Sequence, residues 1–238
     1  MWTSCISFIA LFWTVHSASA PFIKPCKDGD GACVLASSQA AIPVVAQGIP
    51  ELGVKSLDPL HVPLITSDQG SLKLTFKDTV LTGLKGCKID SVKHDRIKGR
   101  QTLVFHCNMV LEGDYVLDGQ LLILPVQGKG KYKIDIRDIM IKTVTDFKTE
   151  QGADGKAHWK ITKWRDSFQV KSGVTFEFEN LFNGNKVLAD PVIEFANSNW
   201  KDVMQEIAPP IVHTIITEVV NVVDTLYKAV PAEELYIP

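Results

Sequence analysis

The chain has 238 residues, of which 22% are charged and 45% hydrophobic, and its formal net charge at pH 7 is -2. This composition is that of an ordinary globular protein, so it favours neither a disordered chain nor a nucleic-acid-binding protein. The length allows one large domain or two small ones. Because no Gly/Ser-rich, Pro-rich or strongly charged linker divides the chain, we expect one continuous domain over residues 21–238.

The first twenty residues have the pattern of a secretory signal peptide. The apolar run over residues 5–15 is too short to span a bilayer, which needs about 20 apolar residues. Residues 18–20 are small, as a cleavage site requires. The alternative is that the apolar run forms a core helix. We expect residues 1–20 to be removed and the protein to be secreted.

Cysteine spacing predicts disulfides. Of the five cysteines, Cys5 belongs to the leader and four remain, an even number that suggests two bonds in a secreted protein. Cys26 and Cys33 flank a turn-rich loop that brings its ends together. We therefore predict a bond between Cys26 and Cys33.

The other two cysteines, Cys87 and Cys107, fit opposite positions of a β-hairpin that reverses near Ile97. Such a hairpin makes them cross-strand neighbours on one apolar face. The expected neighbouring pairs are Cys87 and Cys107, Ile89 and Phe105, and Ser91 and Leu103. A bond between directly paired strands is often strained, so two buried free thiols remain the alternative.

After a predicted helix over residues 33–47, kinked or divided at Pro43, and an irregular extended stretch over 49–64, the hydrophobic period becomes two. Residues 115–124 are apolar on both faces, which predicts a strand covered on both sides. A slip of the pattern predicts a bulge near Arg137 and Asp138. The predicted strands cover residues 71–80, 102–111, 115–124, 132–141, 158–164 and 168–179. Short turns between them indicate an antiparallel sheet.

Residues 199–229 have a helical period of 3.6 and an apolar stripe too broad for a helix on the surface. We predict a helix that Asn199 caps, Pro210 bends and Pro231 ends. A long buried helix after an antiparallel meander indicates an α+β fold in which a curved sheet rolls around the helix. Gaps at the ends of such a roll would form apolar cavities.

The sequence resembles the insect takeout and juvenile-hormone-binding proteins. Residues 24–33 read Lys-Pro-Cys-Lys-x-x-Asp-x-x-Cys, and residues 111–130 begin Leu-Glu-Gly-Asp-Tyr and end Leu-Pro-Val-x-Gly-x-Gly. Further matching motifs lie at residues 48–54, 57–60, 178–184 and 197–200. The resemblance implies a TULIP-like super-roll, in which the sheet wraps a long C-terminal helix around an elongated apolar tunnel, and a protein of haemolymph or another extracellular fluid.

This resemblance also bears on the cysteines. The pair Cys26 and Cys33 matches the family's N-terminal disulfide. Cys87 and Cys107 are not the usual second pair of the haemolymph hormone carriers. The resemblance therefore favours the broader takeout branch of the family.

The predicted function is binding and carriage of a small hydrophobic ligand, which the family resemblance extends to juvenile hormone, another terpenoid, an odorant or a fatty acyl lipid. The chain has no Gly-x-Ser-x-Gly elbow, no phosphate-binding glycine loop and no His or Cys pair at metal-ligand spacing. We therefore expect a protein that is not an enzyme and needs no metal or cofactor. We also expect a monomer. The candidate ligand contacts are Tyr132, Phe147 and Trp159, and the resemblance suggests that the Tyr132 hydroxyl meets an ester or epoxide oxygen.

A basic hairpin leaves a second function open. Its cations are Lys85, Lys88, Lys93, Arg96, Lys98 and Arg100, with Asp90 and Asp95 among them. The hairpin is either a solvated sheet edge that discourages aggregation or a contact for an anionic membrane or a receptor. The alternative function is accordingly a membrane- or lipopolysaccharide-interacting defence protein of the same architecture.

Overall fold

A large antiparallel sheet and one long helix make up most of the structure. The computed structural model describes residues 19–69 and 71–237, so nearly all of the predicted leader lies outside the described residues. The helices are α1 (Gly31–Gln47), α2 (Lys186–Ser198), α3 (Trp200–Ala229) and α4 (Ala232–Leu235). The strands are β1 (Cys26–Lys27), β2 (Leu60–Gln69), β3 (Leu72–Thr82), β4 (Lys88–Asp95), β5 (Arg100–Leu121), β6 (Leu124–Gln151), β7 (Ala157–Phe178) and β8 (Tyr236–Ile237).

The sheet has the order β2-β3-β5-β6-β7, and β4 pairs with β5 beyond the end of β3. The three longest strands, β5, β6 and β7, have 22, 28 and 22 residues. Strands of this length extend over roughly 75–95 Å at the usual rise per residue. The hydrophobic pattern predicted shorter, separate strands within β5 and β7, because polar and small residues interrupt the apolar alternation. The backbone pairing nevertheless continues through these residues.

The sheet curves around α3. Its two outermost strands, β2 and β7, both contact this helix, which a flat sheet would not allow. The two edges remain unpaired with each other among the described residues, so the sheet is open. The predicted α+β super-roll around a C-terminal helix is thus confirmed.

The inward face of α3 is buried along its whole length. By length and composition α3 is able to cross a membrane, and it is the one such helix in the described part of the chain. Its apolar face nevertheless packs on the sheet, as in the core helix of a soluble protein. Pro209 and Pro210 lie inside the helix, which continues through them.

Helix α2 was missed, and the predicted cap of α3 was wrong. Asn199 joins α2 to α3, and its side-chain amide donates to the carbonyl of Phe195 at the end of α2. Its side chain therefore makes no capping hydrogen bond to α3. Asn185 begins α2 by accepting a hydrogen bond from the Val187 amide.

Other local predictions had mixed outcomes. The bulge is confirmed, since the β6–β7 register shifts between Arg137 and Ile139. Part of the stretch expected to be irregular is β2, an edge strand in which Pro63 is tolerated. Residues 115–124 are not covered on both faces, because Val116 and Ile123 are 43% and 77% exposed.

Candidate functional site

An apolar cavity of about 290 Å³ lies between α1, the C-terminal part of α3 and strands β4 to β7. Widely separated parts of the chain contribute its walls, which include Val45, Leu103, Phe105, Ile161, Val220 and Leu226. Space remains there because a single helix does not fill the curved sheet at this end. The cavity corresponds to the end gap expected from the sequence.

Both predicted disulfides are present and border this cavity. Cys26–Cys33 ties β1 to the start of α1, and Cys87–Cys107 ties the residue before β4 to β5. Gln39 of α1 adds a third link, since its amide nitrogen donates to the Cys87 carbonyl at 3.1 Å. Its amide oxygen accepts from the Ile89 amide at 2.7 Å. The side chain of Gln39 thus forms hydrogen bonds with two backbone groups at the edge of the sheet, and these bonds hold α1 over the cavity.

The predicted hairpin register is right near the disulfide and wrong by one residue further on. Ile89 lies opposite Phe105, as expected. Ser91 lies opposite Val104 instead of Leu103, because the register shifts between Ile89 and Ser91. An extra residue in one strand produces such a shift, and alternation alone does not reveal it.

Trp159 is the centre of an aromatic cluster at the cavity. Its side chain is 4% exposed and lines the cavity. Ring centroids of neighbouring side chains lie 4.9 Å (His94), 5.2 Å (Phe147), 5.4 Å (Tyr227) and 5.7 Å (Tyr236) from that of Trp159. These separations are typical of favourable aromatic pairs. We call these five residues the Trp159 cluster.

Two of the three predicted ligand residues, Phe147 and Trp159, lie together, and Tyr132 lies apart from them. Trp159 lines the cavity, and Phe147 packs behind it against Trp159 and His94. Tyr132 lies outside the lining of this cavity and stacks on Phe76 with centroids 4.0 Å apart. Ligand contact by any of the three stays a prediction.

The hydroxyl of Tyr132 already has a partner inside the protein, the Thr79 hydroxyl at 2.8 Å. Burial raises the pKa of Tyr132 to about 12, although the hydrogen bond with Thr79 opposes this shift. Tyr132 is therefore a neutral, buried hydroxyl at ordinary pH.

Sequence reasoning missed a polar row on the cavity wall. His94 of β4, Gln101 of β5 and Thr145 of β6 occupy directly paired positions on three adjacent strands, and all three line the cavity. From α3, the Tyr227 hydroxyl donates to the Gln101 amide oxygen at 2.7 Å. Nδ1 of His94 lies 3.4 Å from the same oxygen. The sequence feature that could have indicated this polar row is Tyr227, whose hydroxyl lies in the last turns of an otherwise apolar helix.

Burial sets the protonation states of His94 and Tyr227. Desolvation lowers the pKa of His94 below its usual value, against the opposing effect of the Gln101 hydrogen bond. Burial also raises the pKa of Tyr227 to about 12. Both side chains are therefore neutral near pH 7.

The C-terminal tail, residues 230–237, closes one side of the cavity. Strand β8 pairs with β1 in parallel, and Leu235 and Tyr236 line the cavity. The guanidinium carbon of Arg96 lies 4.0 Å from the centroid of the Tyr236 ring, and Arg96 also forms an ion pair with Asp28. This pair lowers the pKa of Asp28. Arg96 thereby connects the tail to the disulfide-bonded loop.

The basic hairpin is partly neutralised. Besides the Arg96 pair, Lys98 contacts Asp95 at 3.2 Å and Arg100 contacts Asp146 at 2.6 Å. Within residues 19–69 and 71–237, Lys85, Lys88 and Lys93 form no ion pair. No group of three or more His, Cys, Asp or Glu side chains in that described part is arranged to hold a metal ion.

The fold and the cavity define a class of protein in which an apolar cavity lies between a curved sheet and a long helix. The family model described as haemolymph juvenile hormone binding protein matches residues 5–237, so this chain belongs to that family. The takeout resemblance is confirmed by the crystal structure of Epiphyas postvittana Takeout 1. It has a TM-score of 0.88 and 33% identity, covering 91% of this chain and 100% of that chain.

Curated relatives agree with this assignment. The circadian clock-controlled protein daywake of Drosophila melanogaster is 27% identical over 248 residues, which cover 99% of this chain and 95% of that protein. A putative beta-carotene-binding protein of Schistocerca gregaria is 24% identical over 182 residues, covering 74% of this chain and 71% of that protein.

Proposed function

We propose that this protein is a secreted, monomeric carrier that holds one small hydrophobic ligand, such as juvenile hormone, another terpenoid, an odorant or a fatty acyl lipid. The observation that carries the proposal is the apolar cavity of about 290 Å³ lined by α1, α3 and the sheet. This volume is near the lower end of the roughly 300–1,000 Å³ usual for ligand pockets. It therefore suits one small ligand.

The energetics of burial support a useful affinity. Enclosing about 400 Å² of apolar ligand surface contributes roughly 10 kcal/mol before the costs of association are subtracted. Dissociation constants between micromolar and nanomolar values follow. Trp159 is the ligand contact that we propose most directly, with Phe147 supporting its ring from behind.

The comparisons and the disulfides support the same proposal. The family's description refers to juvenile hormone, and one relative's name refers to beta-carotene, so both concern lipophiles. Two disulfides are typical of proteins that fold in an oxidising compartment. They support secretion after removal of residues 1–20.

The test combines native mass spectrometry with a pair of variants on one helix. Protein from a secretory expression host should carry a co-purified lipophile, and the delipidated protein should take up a fluorescent fatty acid. Ala41 lines the cavity, whereas its neighbour Ala40 is exposed. Ala41→Phe should block uptake and Ala40→Phe should not. Empty protein that takes up no probe would refute the carrier function.

One observation favours the second candidate, interaction with an anionic membrane or lipopolysaccharide. Ile97 is 95% exposed at the tip of the basic hairpin, between Arg96 and Lys98. An apolar side chain among cations suits the interface of an anionic bilayer. On this hypothesis the protein binds anionic vesicles in a salt-sensitive way, and Ile97→Ser or Lys93→Gln/Lys98→Gln weakens binding. Equal binding to neutral vesicles would argue against it.

A further inference from the structure

The polar row contains one hydrogen-bonding atom that nothing satisfies. Nε2 of His94 is buried and has no hydrogen-bond partner in the described part of the chain. Its ring lines the cavity and contacts both Phe147 and Trp159, each with a centroid 4.9 Å away. A buried polar atom without a partner costs free energy, so such an atom beside a cavity calls for an explanation.

The neighbouring hydrogen bonds decide what this atom can do. The amide oxygen of Gln101 accepts from the Tyr227 hydroxyl and can only accept from Nδ1 of His94. Nδ1 therefore carries the imidazole proton, and the neutral ring presents a lone pair at Nε2. Nε2 is thus an acceptor that lacks a donor.

A hydroxyl that donates to Nε2 also has an oxygen that can accept hydrogen bonds, and threonines near the polar row can donate to it. Thr145 lies directly opposite Gln101 on the next strand and lines the same cavity, as does Thr143. Threonine hydroxyls donate as well as accept, so they are able to satisfy the lone pairs of a ligand oxygen. The rest of the wall is mainly aliphatic and aromatic, which suits a hydrocarbon chain.

We propose that Nε2 of His94 accepts a hydrogen bond from a ligand hydroxyl, so that the cavity selects lipophilic alcohols over ethers, esters or hydrocarbons with the same skeleton. The inference rests on the proposed function, because it requires a ligand in this cavity. His94 is thereby a specificity-determining residue. The aromatic rings of the Trp159 cluster supply the apolar contact that alcohols and ethers share.

The test compares farnesol with farnesyl methyl ether, which differ in the hydroxyl donor and share the hydrocarbon chain. Both are titrated by competition against a fluorescent fatty acid bound to the delipidated, disulfide-bonded protein. The wild-type protein should bind farnesol about fivefold to tenfold more tightly, as one hydrogen bond predicts. His94→Phe should remove this preference and keep the affinity for the ether. His106→Phe, on a partly exposed imidazole that pairs with Asp90 and lies outside the cavity lining, should keep the preference.

A second measurement covers the case in which His94→Phe does not fold. In the wild-type protein, the ¹⁵N signal of His94 Nε2 should move on addition of farnesol and stay in place on addition of the ether. Equal affinities for both probes, tighter binding of the ether, or an Nε2 signal that does not respond to farnesol would overturn the inference and leave the carrier function intact. Failure of both terpenoids to displace the bound fatty acid would also overturn the inference, whereas failure of the fatty acid itself to bind would refute the carrier function.

Discussion

The hydroxyl of Tyr132 and Oγ1 of Thr79 lie 2.8 Å apart inside the core, where they join β6 to β3. Thr79 is completely buried and Tyr132 nearly so, so each hydroxyl depends on the other for its hydrogen bond. Tyr132→Phe should lower the free energy of unfolding by about 1–3 kcal/mol, because it leaves the Thr79 hydroxyl without a partner. Urea denaturation would measure this loss.

The matched control is the double variant Tyr132→Phe/Thr79→Val, which removes both hydroxyls. Its loss of unfolding free energy should be smaller than the sum of the losses in Tyr132→Phe and Thr79→Val. Affinity for ligands in the cavity beside Trp159 should remain unchanged in Tyr132→Phe. A loss of affinity confined to oxygen-bearing ligands would instead support the ligand contact predicted for Tyr132 from the sequence.

Tyr132 and Trp159 show where prediction from sequence reaches its limit. Both are inward aromatic residues of long strands, and alternation identifies both as interior. Which part of the interior α3 fills, and which part stays open, depends on where that helix lies along the sheet. This position is a property of the tertiary structure, so the sequence predicted the roll and its end gaps without locating the cavity.

His94 and Tyr227 illustrate a second limit. The architecture was predictable, because the period of 3.6 over α3 and the period of two in the strands extend over many residues. The Gln101 amide oxygen of β5 connects His94 to Tyr227 at the end of α3. Each of these two side chains alone resembles an ordinary half-buried residue. Nothing in either local pattern indicates the other.

Arg96 should control how fast a ligand leaves. Arg96→Gln removes the ion pair with Asp28 and the stacking on Tyr236, so the C-terminal tail should open more often. We expect a severalfold faster dissociation of a fluorescent fatty acid in stopped-flow displacement. Arg100→Gln is the control on the same hairpin, because Arg100 pairs with Asp146 and lies outside the cavity lining. Equal rates in both variants and the wild type would show that the tail does not limit release.

The disulfides should contribute unequally to stability. Cys87 and Cys107 are 20 residues apart and Cys26 and Cys33 are 7 apart. Loop-closure entropy then predicts a loss of about 3 kcal/mol for Cys87→Ala/Cys107→Ala and about 2.5 kcal/mol for Cys26→Ala/Cys33→Ala. Denaturation of both double variants measures the losses. Thiol labelling of the denatured, unreduced wild-type protein should find all four cysteines blocked, and labelling at any of them would contradict the pairing.

Stability should fall as the pH is lowered through the range in which unfolded histidine titrates. Burial lowers the pKa of His94 below 6.5, while Asp28 and Asp95 oppose that shift and Arg96 adds to it. Below about pH 6.5 the unfolded chain binds a proton that folded His94 does not, so the free energy of unfolding decreases towards acid. Above about pH 7.5 this contribution is complete. His94→Gln should flatten the profile between pH 7.5 and 5.5, and His106→Gln should keep the part that depends on His94.

The same protonation should act on ligand selection. A proton on Nε2 removes the lone pair that we propose accepts the ligand hydroxyl, so farnesol should lose its advantage over farnesyl methyl ether once His94 is protonated. Because the folded pKa of His94 is lowered, this loss should occur at a lower pH than the first decrease in stability. Titrating both probes at several pH values measures the ratio of their affinities. A constant ratio throughout the range in which His94 protonates would contradict the hydrogen bond at Nε2.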